Sequence, residues 1–321
     1  MVRPVFMMIL LPRVVVEAAS TQRLAGAEGD DTRLHKPVSF GGLLLSNEEL
    51  TTFSARFRAA WPDDQDDCLA IVNGSRRGMG EAGQDAFVWR NLFARATLAG
   101  ERGFYVDSGS WQPRQASNTW FFDRCLGWDG VCVEPIRENW RRLKKYRSCT
   151  LAKECISSTA KTVSFNVLGP KSTTKRLGDG SPSPPPARTS SRPKVTRNIS
   201  CVPISTIAKR AGRSVIDFWS LDVEGHELEV LAHDWETHGV RVHALMVEDH
   251  HQVLSVLDRL VLSRHASIKV AQMPLDTLYV SRHVARELPV DPWSSEWEED
   301  TWEHSRKKFR KTQPGGAGVA I

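Results

Sequence analysis

Gly103-Phe104-Tyr105-Val106-Asp107-Ser108-Gly109-Ser110 decides the reading of this chain. Phe104 to Val106 has strand composition, and Gly103 on one side and Ser108-Gly109 on the other bound it as a buried strand that runs into a loop. Asp107 then sits at the carboxyl end. In an open α/β sheet the ligand crevice lies outside those ends, and a glycine there lets backbone approach a ligand closely. Gly109 suits that place. Asn118 to Leu126 carries Trp120, Phe121, Cys125 and Leu126 at helical spacing, and Gly127 stops it. The next strand is Val131-Cys132-Val133. It ends in Glu134, 27 residues after Asp107, where an acid can accept both hydroxyls of a ribose.

The rest of the domain repeats this alternation. Ile136 to Tyr146 reads as a helix with Trp140 and Leu143 inward and a solvated basic face of Arg141, Arg142, Lys144 and Lys145. Thr150 to Ile156 reads as a third strand with Ser157 and Ser158 at its end, and Thr162 to Leu168 as an edge strand. A helix follows near Ile204 to Ala211, then the most apolar strand, Val215 to Leu221, closed by Asp222. Glu224 to His233 is predicted helical. Val240 to Val247 is the fifth strand, ending in Glu248, and the helix after it shows Val253, Leu257, Leu260 and Val261 on one face. Ser267 to Val270 and Thr277 to Val280 supply a final pair that brings in an antiparallel member.

Upstream, Leu43 to Trp61 is predicted helical, capped by Ser46 or Asn47, with Leu50, Phe53 and Phe57 on one face. A second helix runs from Asp85 to about Leu98, and Asp85 suits its cap.

Several blocks in order carry a family resemblance. They are Phe104-Tyr105-Val106-Asp107, Ser117-Asn118-Thr119-Trp120-Phe121-Phe122, Gly127-Trp128-Asp129-Gly130-Val131-Cys132-Val133-Glu134-Pro135, Ser220-Leu221-Asp222-Val223-Glu224-Gly225 and Asp276-Thr277-Leu278-Tyr279-Val280. Together they resemble the FkbM family of S-adenosylmethionine-dependent methyltransferases, over roughly Gly83 to Ser281; Gln84-Asp85 resembles a dipeptide that often precedes the family's cofactor strand. The resemblance implies a Rossmann-like class I methyltransferase fold, an α/β doubly wound, mostly parallel seven-stranded sheet with one antiparallel strand. It implies S-adenosyl-L-methionine as cofactor, and O-methylation of a sugar, lipid or small natural product. Cofactor binding falls on Asp107, Gly109, Ser110, Glu134, Ser157 and Asp222. Catalysis falls on Asp222, His250 and Glu248, with Glu224 and His226 on the acceptor side. No metal-ligand spacing is present, and no metal is expected. The loop after Asp107 departs from the family's Asp-aliphatic-Gly-Ala-Asn pattern, since Trp111 and Pro113 make it bulkier; a catalytically inactive binding or scaffold protein on the same fold is the alternative.

Composition sets the remaining bounds. The 321 residues are 40% hydrophobic and 25% charged, enough for one large domain. Residues 169–200 hold seven basic residues against one acid, a net +6 that leaves the rest of the chain at −1 out of +5. The basic balance therefore belongs to one segment and does not mark a nucleic-acid face. That segment is rich in Pro, Ser, Thr and Gly and reads as a disordered insertion in a methyltransferase domain spanning 83–285. Residues 37–82 read as a helical extension, 1–36 as a possible targeting segment and linker, and 286–321 as a mobile charged tail. Val5 to Leu11 is too short to span a membrane. A poor secretory signal, a transit peptide and an internal start without targeting role all fit it, so cytoplasm and secretory pathway or organelle both stand. The sequons at Asn73 and Asn198 matter only after secretion.

The six cysteines, at 68, 125, 132, 149, 155 and 201, show no C-x-x-C pair. Cys125 and Cys132 fall at apolar positions and read as buried small hydrophobes. No disulfide scaffold is expected, with Cys149 and Cys155 the one pair considered.

Overall fold

The computed structural model describes residues 45–167, 172–173, 195–249, 256, 258, 260–265, 267–273 and 275–285. The expectations for 1–36, for 286–321 and for Val253 and Leu257 lie outside them. Strands β1 (Phe104–Ser108) and β2 (Asp129–Val133) form as expected, joined in parallel through Val106 opposite Val131. A seven-stranded sheet is built around them with β3 (Thr150–Ala152), β8 (Val215–Leu221), β9 (Arg241–Glu248), β10 (Ser267–Gln272) and β11 (Asp276–Ser281). Its order is β10-β11-β9-β8-β1-β2-β3. Only β11 runs against the rest, antiparallel to both β9 and β10. This is the doubly wound class I methyltransferase topology, with β1 beside the point where strand order reverses.

Side chains alternate across the sheet with the strand period of two. Tyr105, Phe218, Met246 and Leu278 face one core, while Val106, Trp219, Leu245 and Tyr279 face the other. The first core is covered by α1 (Asn47–Arg56), α2 (Gln65–Val72) and the helix from Gln84 to Leu98, which passes through a π-type turn at Trp89–Phe93. Ser46 caps α1 in a reciprocal box with Glu49. Phe57, Cys68 and Ile71 share this core with Trp89, Phe93 and Trp128. The upstream helices are thus part of the domain's packing. Ring centroids of Phe93, Phe122, Trp128 and Phe218 lie 4.9–5.8 Å apart along their contacts, a spacing typical of tilted aromatic pairs.

Four expectations need correction. Thr150 to Ile156 is not one strand: it breaks at Lys153-Glu154, and β4 (Cys155–Ile156) leaves the main sheet to pair in parallel with Cys201-Val202 in a second, four-stranded one. There β5 (Lys161–Val167) is an interior strand, paired with β6 (Ser172–Thr173) and β7 (Val195–Val202), and no edge strand. The supposed disordered insertion therefore contributes both β6 and the first six residues of β7. Finally, the helix expected from Glu224 begins only at Glu227, because Glu224 has φ of +56° and Gly225 of +96°, outside the helical region.

The cysteine reading also fails. Cys68–Cys125, Cys132–Cys149 and Cys155–Cys201 are bonded, and no cysteine is left free. Each pair joins different elements: α2 to the turn Phe121–Cys125, β2 to the approach to β3, and β4 to β7. Burial at apolar positions, the basis of the sequence reading, is shared by disulfide sulfur, so it could not discriminate.

Candidate active site

A cavity of about 360 Å³ opens at the carboxyl ends of β1, β2, β8 and β9. Backbone geometry makes it. The β1 and β8 chains run side by side to Ser108 and Leu221, and Asp222 N–H donates to the Ser108 carbonyl at 3.0 Å. Gly109 turns there at φ +87°, and a Cβ on it would lie 1.7 Å from the Asp222 carbonyl oxygen. Only glycine fits so close an approach.

On the β2 side, Glu134 lines the cavity with Ser108 and Gly109. Its Oε1 accepts from Ile136 N–H at 2.7 Å, and burial pushes its pKa up to about 7 against the pull of bonds from Ile136, Asn139 and the Trp111 backbone. The unusual loop after Asp107 thus delivers a backbone donor to this carboxylate, and Trp111 itself lines the wall. Ile136, Ile156, Val163 and Phe165 supply apolar lining. Three other residues expected to bind cofactor do not line the cavity. Asp107 is buried with Oδ2 accepting from Thr119 Oγ1 at 2.5 Å and Arg147 at 3.4 Å. Ser110 donates to the Asp107 carbonyl. Ser157 is spent on Glu229 Oε1 at 2.7 Å; β4 before it has left the main sheet, and Cys155 and Ile156 line the cavity instead.

The β8 and β9 side gathers the acids. Asp222, Glu224, His226 and Glu248 all line the cavity. His226 Nε2 lies 3.0 Å from Glu229. His250 lies outside the described residues. Burial raises the Asp222 pKa to about 7, and Glu248 hydrogen-bonds to it; burial and the charge of Asp222 push Glu248 higher still. Both carboxyls are pushed the same way, by burial and by the charge of neighbouring carboxylates, so the pair favours carrying a shared proton. Neither Asp222 nor Glu224 caps the next helix. Glu227 takes the loop amides, its Oε1 accepting from Val223 and Gly225 N–H at 2.9 and 3.2 Å. That bond pair holds Glu224 in its positive-φ conformation beside the cavity, a kind of strain that clusters at functional sites.

Folding produces two groupings that linear spacing hides. Gln84 Nε2 donates to Asp276 Oδ2 at 2.6 Å across 192 residues of chain, and both line the cavity; burial raises Asp276 to about 7. Asp85, instead of capping the helix, accepts from Met79 and Gly80 N–H. Asp222, Glu227 and Glu248 present oxygens within 4.8 Å of one another, close enough to hold a divalent cation, although the Glu227 and Glu248 contacts just given already engage them.

A third grouping lies behind the site. Arg147 is fully buried, bonded to Asp123, Asp107, Ser117, Tyr105 and Thr119 at 2.5–3.4 Å. The sequence reading left it unremarked at the end of a basic run.

The methyltransferase FkbM domain model matches residues 105–265, half of the chain. No curated protein matches. Among solved structures, the methyltransferase FkbM from Methylobacillus flagellatus KT is similar at 13% identity with a TM-score of 0.37, over 72% of this chain. The chain spans 57% of that protein's length. With the domain match and the sheet order in hand, the chain belongs to the FkbM methyltransferase family.

Proposed function

We propose that the chain transfers the methyl group of S-adenosyl-L-methionine to a hydroxyl of a sugar, lipid or small natural product. The observation that carries this reading is the joining, in one cavity, of Gly109 and Glu134 at the β1 and β2 ends with the Asp222 and Glu248 pair at the β8 and β9 ends. The cofactor, when bound, supplies a methyl group on a cationic sulfonium. The residues fit it: Glu134 offers a carboxylate whose burial cost hydrogen bonds from ribose hydroxyls would relieve. Gly109 keeps the wall beside it free of a side chain. Glu81, Glu134, Asp222, Glu224, Glu248 and Asp276 line the cavity, and among the described lining residues there is no lysine or arginine; a cation entering it would favour their ionised forms.

In this reading Asp222 takes the acceptor's proton. Asp222 and Glu248 hydrogen-bond to each other, and burial lifts both above the ordinary carboxyl range, so Asp222 titrates nearer the operating pH than an exposed carboxylate would, as a general base requires. Glu224 and His226 face the acceptor side. Titration calorimetry with S-adenosyl-L-methionine and mass spectrometry of extracts methylated with labelled cofactor test the reading. Binding should weaken by about 1.5–3 kcal/mol in Glu134→Ala. Unchanged affinity would reject the ribose assignment, and absence of any labelled product would reject the enzyme.

A further inference from the structure

We propose that the chain matures in an oxidising secretory lumen and carries an N-linked glycan on Asn73. The first observation is the cysteine pairing: three bridges consume all six thiols, and structural disulfides form and persist in oxidising compartments and are rare in reducing ones. In such a compartment an N-x-S sequon becomes an acceptor. Asn73-Gly74-Ser75 is such a sequon.

The second observation is its placement. Asn73 follows the last residue of α2 and is exposed, as are Gly74 and Ser75. Gly74 has φ of +82°, which turns the chain outward after the helix. The Asn73 Oδ1 accepts from the Ser75 N–H at 2.9 Å, and among the described residues no hydrogen bond holds its Nδ2. A glycan there meets solvent, and Asn73 is not among the residues lining the cavity. Cys68, one turn back on the same helix, fixes α2 to the domain through Cys125. The other sequon differs: Asn198 sits within β7, where its Oδ1 accepts from Ser164 Oγ.

The step balances with a lipid-linked oligosaccharide as donor. The Asn73 Nδ2 bonds to the anomeric carbon, the bond from that carbon to the pyrophosphate oxygen breaks, the amide gives up one proton and the lipid pyrophosphate leaves.

The test is the full chain directed into the secretory lumen of a eukaryotic cell. A peptide amidase that releases N-glycans should increase its gel mobility and convert residue 73 to aspartate, read by peptide mass spectrometry. Asn73→Gln and Ser75→Ala should each remove that site's glycan, and Ser75→Thr should keep it, which separates loss of the sequon from a folding defect. Thiol labelling should find no reactive cysteine before reduction and six after it. An unmodified Asn73 peptide in the secreted wild type, a glycan at residue 73 that survives Ser75→Ala, or free thiols in the folded protein would overturn the proposal.

Discussion

Two residues show how much chemistry this site draws from backbone proximity. Gly109 is in place because β1 and β8 converge, leaving 1.7 Å between a hypothetical Cβ and the Asp222 carbonyl oxygen. Gly109→Ala is expected to cost about 1–3 kcal/mol for the positive φ alone, with further loss as the two loops are pushed apart. Since those loops carry both ends of the cavity, denaturant midpoint and cofactor affinity should fall together. An alanine variant of wild-type stability and affinity would mean that the loops do not meet as described. The same convergence sets Asp222 beside Gly109 at the cavity, and under the proposed reading it is the base. Asp222→Asn keeps the hydrogen-bonding shape of the pair and removes the base, so single-turnover methylation at saturating cofactor should slow by ~10²–10⁴. A rate within a factor of ~3 of wild type would leave alignment alone to carry the reaction.

At the scale of elements, the buried Arg147 couples helix, strand and loop. It follows the helix Arg137–Tyr146 and reaches Asp107 on β1, Asp123 in the Phe121–Cys125 turn and Thr119 before it. Arg147→Met would leave Asp107 and Asp123 buried without their counter-charge, a change that typically costs about 3–5 kcal/mol. The measurement is the urea midpoint, and a variant within ~1 kcal/mol of wild type would show that water replaces the guanidinium. This network also marks the limit of what the sequence discloses. Apolar strands bounded by polar or glycine residues, such as Phe104 to Val106 and Val215 to Leu221, were legible because burial on both faces leaves a local composition signal. The position of Asp222 and Glu248 at the cavity was legible for the same reason, as polar ends to the Val215–Leu221 and Val240–Val247 strands. Arg147, Gln84 with Asp276, Glu227 and the three disulfides were not, because each joins partners distant in sequence and leaves no periodicity. The second sheet was hidden twice over, since β6 and the start of β7 lie in a segment whose Pro, Ser and basic composition masks them.

For the molecule as a whole, the carboxylates buried around the cavity make stability depend on pH in a definite direction. Burial lifts Asp85 to about 6, and Glu134, Asp222 and Asp276 to about 7. A group whose folded pKa exceeds its unfolded one binds its proton more tightly in the native state. Its stabilisation is complete below the ordinary carboxyl value and is lost as pH rises through the folded one. The chain should therefore become less stable from pH 5 to pH 8, unlike proteins whose acids are ion-paired. Asp276 isolates the effect, because Gln84 Nε2, which donates to its carboxylate, can donate equally well to an amide oxygen. Asp276→Asn should be about 2–4 kcal/mol more stable than wild type at pH 8, with the advantage shrinking toward pH 4, since a raised pKa of this size corresponds to 1.36 kcal/mol per unit at most. Urea denaturation of both proteins across that range measures it. Parallel curves would mean that Asp276 ionises as easily in the folded chain as in water, and that the cavity is wetter than its lining implies. The expected convergence would instead show that the acids held ready at the strand ends are maintained at a cost in stability, which a cationic ligand entering the same cavity would offset.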